Sequence, residues 1–250
     1  MQFTQLTPEH RPIEIEETLT ELSLGDKAPA DRPYTIANFV SSADGHATFG
    51  GRSRALGNDG DQAIFHGLRE QIDAVFAGTR TLEAENYGRI LGKPERRARR
   101  VERGLPAEPL ACVVTRSGAL PVEIPLFGQP EARIVVFAPP GTVAGVTDCV
   151  ANVTLVELEP DVLTLSSVST CLRRDFAVRS LLCEGGPTVF ASLVRERLVD
   201  ELWLTLASKL TGGGTGPAIT RGPELPELQE LDSIWALERE RTFFLRYRFT

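Results

Sequence analysis

The chain has 250 residues, of which 42% are hydrophobic and 24% are charged, as in a folded globular protein of one large domain or two small ones. Its formal net charge of −7 argues against nucleic acid or an acidic membrane surface as a main partner. No apolar run reaches the length of a membrane span and the N-terminal residues lack a basic-then-apolar signal, so we expect a cytoplasmic protein.

The cysteines and histidines indicate neither disulfides nor a metal site. The four cysteines contain no C-x-x-C pair, and they are Cys112, Cys149, Cys171 and Cys183. Three of them lie in or beside apolar segments, which favours buried thiols in a reducing cytosol. The three histidines show no zinc-ligand spacing, and we therefore expect no metal.

The predicted elements begin after a polar N-terminal segment. Residues 1–31 mix acids, prolines and polar residues and predict an extended arm before a single core of residues 32–250. The β-branched and aromatic residues of Pro33–Val40 predict the first strand, which runs into a long loop with five glycines. From Asp59 onwards apolar residues recur at helical spacing, and Asn58 or Asp59 is placed to cap that helix.

The rest of the chain continues to alternate between strands and helices. Strands are predicted at 74–78, 110–114, 133–137, 151–158, 178–182 and 200–210, and helices at 79–86, 162–175 and 187–198. The last two extended runs, 232–240 and 241–249, are joined by a tight polar turn and predict an antiparallel hairpin. This order predicts an α/β fold with a mainly parallel sheet flanked by helices.

Parallel sheets bind ligands at the carboxyl ends of their strands, so polar motifs at those ends are candidate sites. In CEGGPTVF, residues 183–190, a strand runs into a carboxylate, two glycines and a helix that begins at Pro187. Glycines let another molecule approach the main chain, and a helix N-terminus attracts phosphate. The alternative for this motif by itself is an ordinary strand-to-helix connection.

Two further strand ends suit a nucleotide. Thr79 and Thr81 place N–H groups and hydroxyls at a helix start, which fits either a helix cap or a cofactor contact. Thr115, Arg116 and Ser117 follow a buried strand. An arginine with two hydroxyls suits the 2′-phosphate of NADPH, and an ordinary polar loop is the alternative.

The remaining motifs are an acidic turn, an arginine-rich helix and a glycine loop. Asp44 follows the first strand, where a carboxylate is able to donate or orient a proton during reduction, although Asp-Gly is also a common turn pair. Charge runs are usually solvated surface, but one predicted helix offers a second candidate for a substrate phosphate through Arg96, Arg99, Arg100 and Arg103. The glycines of TGGGTGP, residues 211–217, predict a flexible loop at the ligand rim.

Together these motifs resemble the reductase domain of riboflavin-pathway deaminase–reductase proteins. The resemblance spans residues 32–250 and is carried by RPYTIANFVSSADG, GRS, LREQIDAVFAGTRTLEAEN and LLCEGGPTVFASLVRERLVDELWLTLASKLTGGG. It implies a dihydrofolate-reductase-like fold, a homodimer and riboflavin biosynthesis as the pathway. The implied activity is that of a pyrimidine reductase, which uses NADPH to reduce the ribosyl group of 5-amino-6-(5-phosphoribosylamino)uracil to a ribityl chain.

The resemblance also implies roles for individual residues. It assigns the substrate to Glu184, Arg69 and the loop serine Ser53. With the motifs above, it assigns the cofactor to Val40, Ala47, Gly78, Thr79, Thr81, Glu85, Thr115, Arg116, Ser117, Gly185, Gly186, Pro187 and Thr188. The family's Leu-Thr-x-Arg segment, whose arginine holds the substrate, is missing, so Arg89 or the arginine-rich helix would take its place. The family's zinc deaminase motifs are also absent, and deamination is expected on another chain.

Two alternatives to a riboflavin-pathway reductase stay open. The same fold and cofactor would serve a dihydropteridine such as dihydrofolate, because a carboxylate that anchors or protonates a pteridine ring is all that this chemistry requires. A non-catalytic nucleotide-binding module is the other alternative. Oxidation of NADPH with one of the two substrates would separate all three functions.

Overall fold

The computed structural model describes residues 1–214 and 216–250. It confirms the α/β class, with a mainly parallel sheet, flanking helices and antiparallel strands at one edge. The strands are β1 Gln2–Thr7, β2 Arg11–Glu14, β3 Tyr34–Ser42, β4 Ala74–Phe76, β5 Leu110–Val114, β6 Arg133–Ala138, β7 Asn152–Glu157, β8 Ser180–Cys183, β9 Glu201–Ala207, β10 Leu231–Arg239 and β11 Thr242–Phe249. The helices are α1 Ile15–Thr20, α2 Asp59–Gln71, α3 Thr79–Ala84, α4 Pro94–Glu102, α5 Leu165–Asp175 and α6 Pro187–Arg195.

The chain forms two compact units. The first contains residues 1–23, 35–68 and 183–250, and the second contains residues 24–34 and 69–182. Both units are assembled from segments that are distant in sequence. Local patterns in the sequence predict the elements but do not show how those elements group.

The N-terminal residues belong to the first unit, which corrects the expectation of an extended arm. Strand β1 pairs antiparallel with β10, and β2 pairs antiparallel with β1. The side chain of Phe3 is buried and meets the ring of Phe244 edge-on, with 5.0 Å between ring centroids. Such aromatic contacts add to the hydrophobic gain from burial, which a loose arm would lack.

The predicted hairpin at the end of the chain is confirmed, and it lies within the sheet of the first unit. Strands β10 and β11 pair antiparallel, and β11 pairs antiparallel with β9. Strand β9 in turn pairs parallel with β3, with Val40 opposite Thr205. The carboxyl ends of β3 and β9 therefore lie side by side.

A buried ion pair ties β9 to β11. Glu201 and Arg246 meet through two hydrogen bonds of 2.8 Å, and both side chains are buried. The Arg246 guanidinium also lies 4.8 Å from the ring centroids of Trp203 and Trp235. A charge can be buried here because it is paired, hydrogen-bonded and stacked on aromatic faces.

In the second unit, strands β4, β5, β6 and β7 pair parallel with one another in that order. As predicted, β5 and β6 are apolar runs whose residues are almost all buried. Helix α5 begins at Leu165 rather than at 162, because the Thr164 hydroxyl caps it by accepting a hydrogen bond of 3.1 Å from the Ser167 amide.

Among the described residues, no helix is both long enough and apolar enough to cross a bilayer.

Candidate active site

Two loops leave the neighbouring carboxyl ends of β3 and β9 in the first unit. The β3–α2 loop, residues 43–58, contains Asp44 and Ser53. The segment after β9 begins with Ser208 and continues into the predicted glycine loop, of which Thr215 lies outside the described residues. The first backbone contact between these two loops is a hydrogen bond of 2.9 Å from the Ala43 amide to the Lys209 carbonyl.

The carboxylate of Asp44 joins the two loops. It accepts hydrogen bonds from the Ser42 hydroxyl at 2.6 Å, from the Thr211 amide at 3.1 Å and from the Gly212 amide at 3.0 Å. The Thr211 hydroxyl also donates to Asp44 at 3.0 Å and lies 2.9 Å from Nδ1 of His46. Since this hydroxyl has one hydrogen, His46 must be the donor in the second contact.

These hydrogen bonds keep Asp44 ionised. The bond from Ser42 lowers the pKa of the Asp44 carboxyl well below its ordinary value, and the donors of Thr211 and Gly212 add to the effect against the opposing cost of desolvation. An ionised carboxylate has no proton to give. The hydrogen bonds support the turn alternative, and a role of Asp44 in orienting a proton stays a prediction.

Ser53 lies half-buried in the second part of the β3–α2 loop. Before it, Phe49 and Arg52 form an isolated antiparallel bridge around Gly50 and Gly51, whose φ angles are +60° and +82°. Two consecutive residues with positive φ suit glycine, so this tight turn explains the Gly-Gly pair. The carbonyl of Ser53 accepts a hydrogen bond of 2.9 Å from the Leu56 amide.

The CEGGPTVF motif forms the predicted strand, turn and helix. Strand β8 ends at Cys183, and Glu184 follows it with only 9% of its surface exposed. Gly185 has a φ of +106°, and the Gly185–Gly186 peptide bond is cis. Helix α6 begins at Pro187 and has no side-chain cap. The motif therefore presents a helix N-terminus next to a buried carboxylate.

The other cofactor residues expected in the first unit differ in exposure. Val40 is buried with Leu56 and Ala207. Ala47 is also buried, and its amide donates a hydrogen bond of 2.8 Å to the Pro217 carbonyl. Thr188, in contrast, is exposed in the first turn of α6. The side chains of Val40 and Ala47 are thus held in the protein interior.

The cofactor residues expected in the second unit share one edge of its sheet. Gly78 is the N-cap of α3, and Thr79 and Thr81 lie half-buried in the first turn of that helix. Glu85 is the C-cap at the other end. Because β4 and β5 are neighbouring parallel strands, this turn lies beside the loop that begins at Thr115.

The loop after β5 has a fixed shape. The buried Thr115 hydroxyl donates to the Ala119 carbonyl at 3.0 Å, and the exposed Ser117 hydroxyl accepts from the Ala119 amide at 3.4 Å. The exposed Arg116 donates to the Leu163 carbonyl at 2.9 Å. A Cβ on Gly118 would lie 2.0 Å from the Thr142 carbonyl oxygen, so only glycine allows this close approach.

The two arginines expected to hold the substrate are both engaged within the second unit. Arg69 is buried, donates to the Ile90 carbonyl at 2.9 Å and lies over the ring of Tyr87. Arg89 pairs with Glu108 and with Glu131. Two carboxylates neutralise the Arg89 charge, which disfavours Arg89 as the replacement for the family's substrate arginine.

The arginine-rich helix α4 serves the packing of the second unit. Arg96, Arg99 and Arg103 all bind the carboxylate of Glu70, at 2.8, 2.8 and 3.0 Å. Arg100 is fully buried and donates to backbone carbonyls, including those of Glu70 and Ile72. The sequence suggests this helix as a phosphate site, but in the structure three of these arginines are paired with Glu70. The residues of α4 by themselves do not indicate this pairing, because Glu70 belongs to helix α2.

Three residues around the loops of the first unit were not predicted: His46, Lys209 and Thr211. Thr211 begins the TGGG run after β9. Its position after a strand end is the one feature of the sequence that could have indicated a role in the site. The parallel pairing of β3 with β9 brings all three to the same edge.

Known proteins resemble this chain in sequence and in structure. A reductase from Archaeoglobus fulgidus, named 2,5-diamino-6-ribosylamino-4(3H)-pyrimidinone 5′-phosphate reductase, is 30% identical over 208 residues, which are 81% of this chain and 93% of that protein. A protein of the same name from Methanothermobacter thermautotrophicus is 27% identical over 222 residues, 86% of this chain and 94% of that protein. The crystal structure of a pyrimidine reductase-like protein from Corynebacterium diphtheriae has the same fold, with a TM-score of 0.76, 20% identity and coverage of 95% of this chain and 99% of that one.

The sequence model of the RibD C-terminal domain matches residues 33–242, which include every predicted site residue. The chain therefore belongs to the RibD C-terminal domain family.

Proposed function

We propose that this protein is an NADPH-dependent reductase that converts the ribosyl group of a ribosylamino-pyrimidine 5′-phosphate to a ribityl group. The observation that carries the proposal is the turn at residues 184–187, where a buried carboxylate adjoins a glycine pair and an uncapped helix N-terminus. This arrangement suits an anionic cofactor beside a polar ring. The names of the two archaeal relatives support the substrate class.

The residues present fit a nicotinamide cofactor. In the first unit, Gly185, Gly186 and the first turn of α6 offer backbone that a pyrophosphate can approach closely, since neither glycine has a side chain. In the second unit, Thr79, Thr81 and the loop 115–117 offer hydroxyls and a guanidinium at neighbouring strand ends. Arg116 and Ser117 would hold the adenosine 2′-phosphate, which NADH lacks.

Reduction of the sugar requires that the substrate and the cofactor are held in position, and it does not require a nucleophilic side chain. The cofactor, when bound, would supply a hydride to the sugar carbon that bears the amino nitrogen; the bond from that carbon to the ring oxygen breaks, and the freed oxygen takes a proton from solvent. The chain holds the pyrimidine through Glu184, whose carboxylate accepts hydrogen bonds from ring N–H or amino groups. The resemblance in sequence implies Ser53 and Arg69 as further substrate contacts, and Asp44 keeps the loop that carries Ser53 in place.

The most detailed part of the proposal is which pyrimidine 5′-phosphate the protein reduces. The relatives are named for a 2,5-diamino-pyrimidinone, whereas the resemblance implies the deaminated uracil compound. We expect the protein to oxidise NADPH with at least one of these two 5′-phosphates and not with dihydrofolate. Turnover of dihydrofolate alone would establish the dihydropteridine alternative, and no turnover of any of them would favour a binding module.

The Glu184→Gln variant tests the role of the turn. The amide keeps the shape of the side chain but loses the charge, so KM for the pyrimidine should rise about tenfold while NADPH affinity stays the same. The measurement is steady-state kinetics with cofactor titration. An unchanged KM would remove Glu184 from the substrate site.

A homodimer and a cytoplasmic location complete the proposal. Exposed apolar side chains lie on the terminal strands of the first unit, namely Leu6, Leu231 and Phe243. They support a symmetric contact between two copies, because covering them removes apolar surface from water.

A further inference from the structure

The β3–α2 loop has a second attachment besides Asp44, and it involves a residue with no assigned role. The ammonium group of Lys209 donates hydrogen bonds to the carbonyls of Ala55, Leu56 and Gly57, at 2.8, 2.9 and 3.2 Å. An ammonium group has three N–H donors, so these contacts use all of them.

The three carbonyls lie at the end of the loop, just before α2 begins at Asp59. The sequence between Ser53 and Asn58 forms turns, in which backbone carbonyls have no strand partner. A cation that collects successive carbonyls satisfies acceptors that would otherwise need water, as lysines do at helix C-termini. The Leu56 side chain between them is buried with Val40 and Ala207, which anchors the same turn from the apolar side.

Lys209 belongs to the segment that also holds the beginning of the loop. Its carbonyl accepts the Ala43 amide at 2.9 Å, and Thr211, two residues further on, binds Asp44. Residues 209–212 therefore fix residues 43–46 at one end and residues 55–57 at the other. Ser53 lies between the two attached ends, and its carbonyl accepts from Leu56, whose own carbonyl binds Lys209.

From these contacts we propose that Lys209 is a positioning residue for the substrate, acting through Ser53. It sets the place of the turn at residues 53–57 and so the place of the Ser53 hydroxyl. The inference rests on the proposed function for its substrate, but its structural part concerns contacts within the chain alone.

The test compares Lys209→Met, which keeps the stem and removes the three donors, with Lys209→Arg, whose guanidinium still offers donors. Lys93→Met is the matched control, because Lys93 is exposed ahead of α4 in the second unit. For Lys209→Met we expect KM for the pyrimidine phosphate to rise about tenfold, with kcat and NADPH affinity within twofold of wild type. Lys209→Arg should restore most of the loss, and Lys93→Met should match wild type.

Hydrogen–deuterium exchange supplies a readout that does not need turnover. Amides of residues 53–58 should exchange faster in Lys209→Met than in Lys93→Met, while those of β5 and β6 stay protected. Unchanged exchange at 53–58 would overturn the proposal, and so would faster exchange with an unchanged KM. If wild type turns over neither pyrimidine, the proposed function fails, and exchange at 53–58 still decides whether Lys209 holds the turn.

Discussion

At the residue scale, the chemistry of a side chain depended on which donors the fold placed around it. Asp44 and Glu184 both follow a strand and precede glycine, so they look equivalent in sequence. In the structure, Asp44 accepts hydrogen bonds from the end of β3 and from the segment after β9 and is ionised, whereas Glu184 lies buried beside a helix N-terminus. We therefore expect the two carboxylates to have different roles.

The Asp44→Asn variant tests whether Asp44 connects the two loops or donates a proton. The amide places N–H hydrogens against the amides of Thr211 and Gly212, so the two loops should shift and KM for the substrate should rise several-fold. Because the pKa of Asp44 is lowered, the wild-type residue stays deprotonated between pH 5 and 8, and the pH profile of kcat should keep its shape in the variant. The measurement is kcat and KM across that range, with the exposed Asp31→Asn as control. A fall in kcat of about 10²-fold, together with loss of one side of the pH profile of kcat, would instead support an acid–base role for Asp44.

Arg116→Ala tests the cofactor phosphate. A charge-assisted hydrogen bond to a phosphate contributes about 1.5–3 kcal/mol, so Kd for NADPH should rise at least about tenfold and Kd for NADH should not change. Titration followed by fluorescence or calorimetry measures both constants. Arg133→Ala is the control, since Arg133 is exposed at the opposite end of the parallel strands. Equal affinities in wild type and variant would place the phosphate elsewhere.

At the element scale, helix α4 shows how a charged segment becomes part of the packing. Three of its arginines converge on Glu70 of helix α2, and Arg100 satisfies backbone carbonyls where that helix ends. Those carbonyls lack partners within α2. Burial lowers the pKa of Arg100 to about 10, and the guanidinium still remains charged at neutral pH.

Glu70→Gln measures what this cluster contributes to stability. Burial opposes ionisation of Glu70, but the hydrogen bond and charge of Arg99, with those of Arg96, outweigh it and lower the pKa of the carboxyl. The stabilisation is therefore present above the unfolded pKa of about 4.3 and is lost as pH falls through the lower folded value. Because the arginines are partly exposed, the variant should lose about 1–3 kcal/mol at pH 7.

Urea unfolding at pH 7 and at pH 3 measures this dependence, with Glu95→Gln, an exposed residue of helix α4, as control. The difference in unfolding free energy between wild type and Glu70→Gln should shrink at the lower pH. A difference of the same size at both pH values would mean that the charge of Glu70 does not stabilise the cluster.

At the scale of the whole molecule, we expect the terminal strands to determine whether two copies of the chain associate. The hairpin and β1 bury one set of side chains in the first unit and leave Leu6, Leu231 and Phe243 partly exposed. We expect a dimer in light scattering at micromolar concentration, and Phe243→Asp should shift the mass toward the monomer without changing the circular dichroism spectrum. A monomer mass for wild type would contradict this prediction.

The sequence by itself determined most of the elements of the core and the family. Period-two and helical patterns are local, and they correctly predicted β3, α2, the buried strands β5 and β6 and the terminal hairpin. The turn at residues 184–187 was also predicted, because glycine tolerates positive φ angles and proline is favoured in the first turn of a helix. The order of such motifs was specific enough to indicate the RibD C-terminal domain family.

Only the tertiary structure decided what the charged residues do. The sequence shows which side chains can be charged, among them Arg89, Arg96 and Asp44. Their roles depend on partners that are distant in sequence, such as Glu131, Glu70 and Thr211. The strands at residues 2–14 were missed for the same reason, since their burial depends on pairing with β10 far along the chain. A sequence pattern reports a residue's own preference, and long-range pairing determines whether its charge remains available to a ligand.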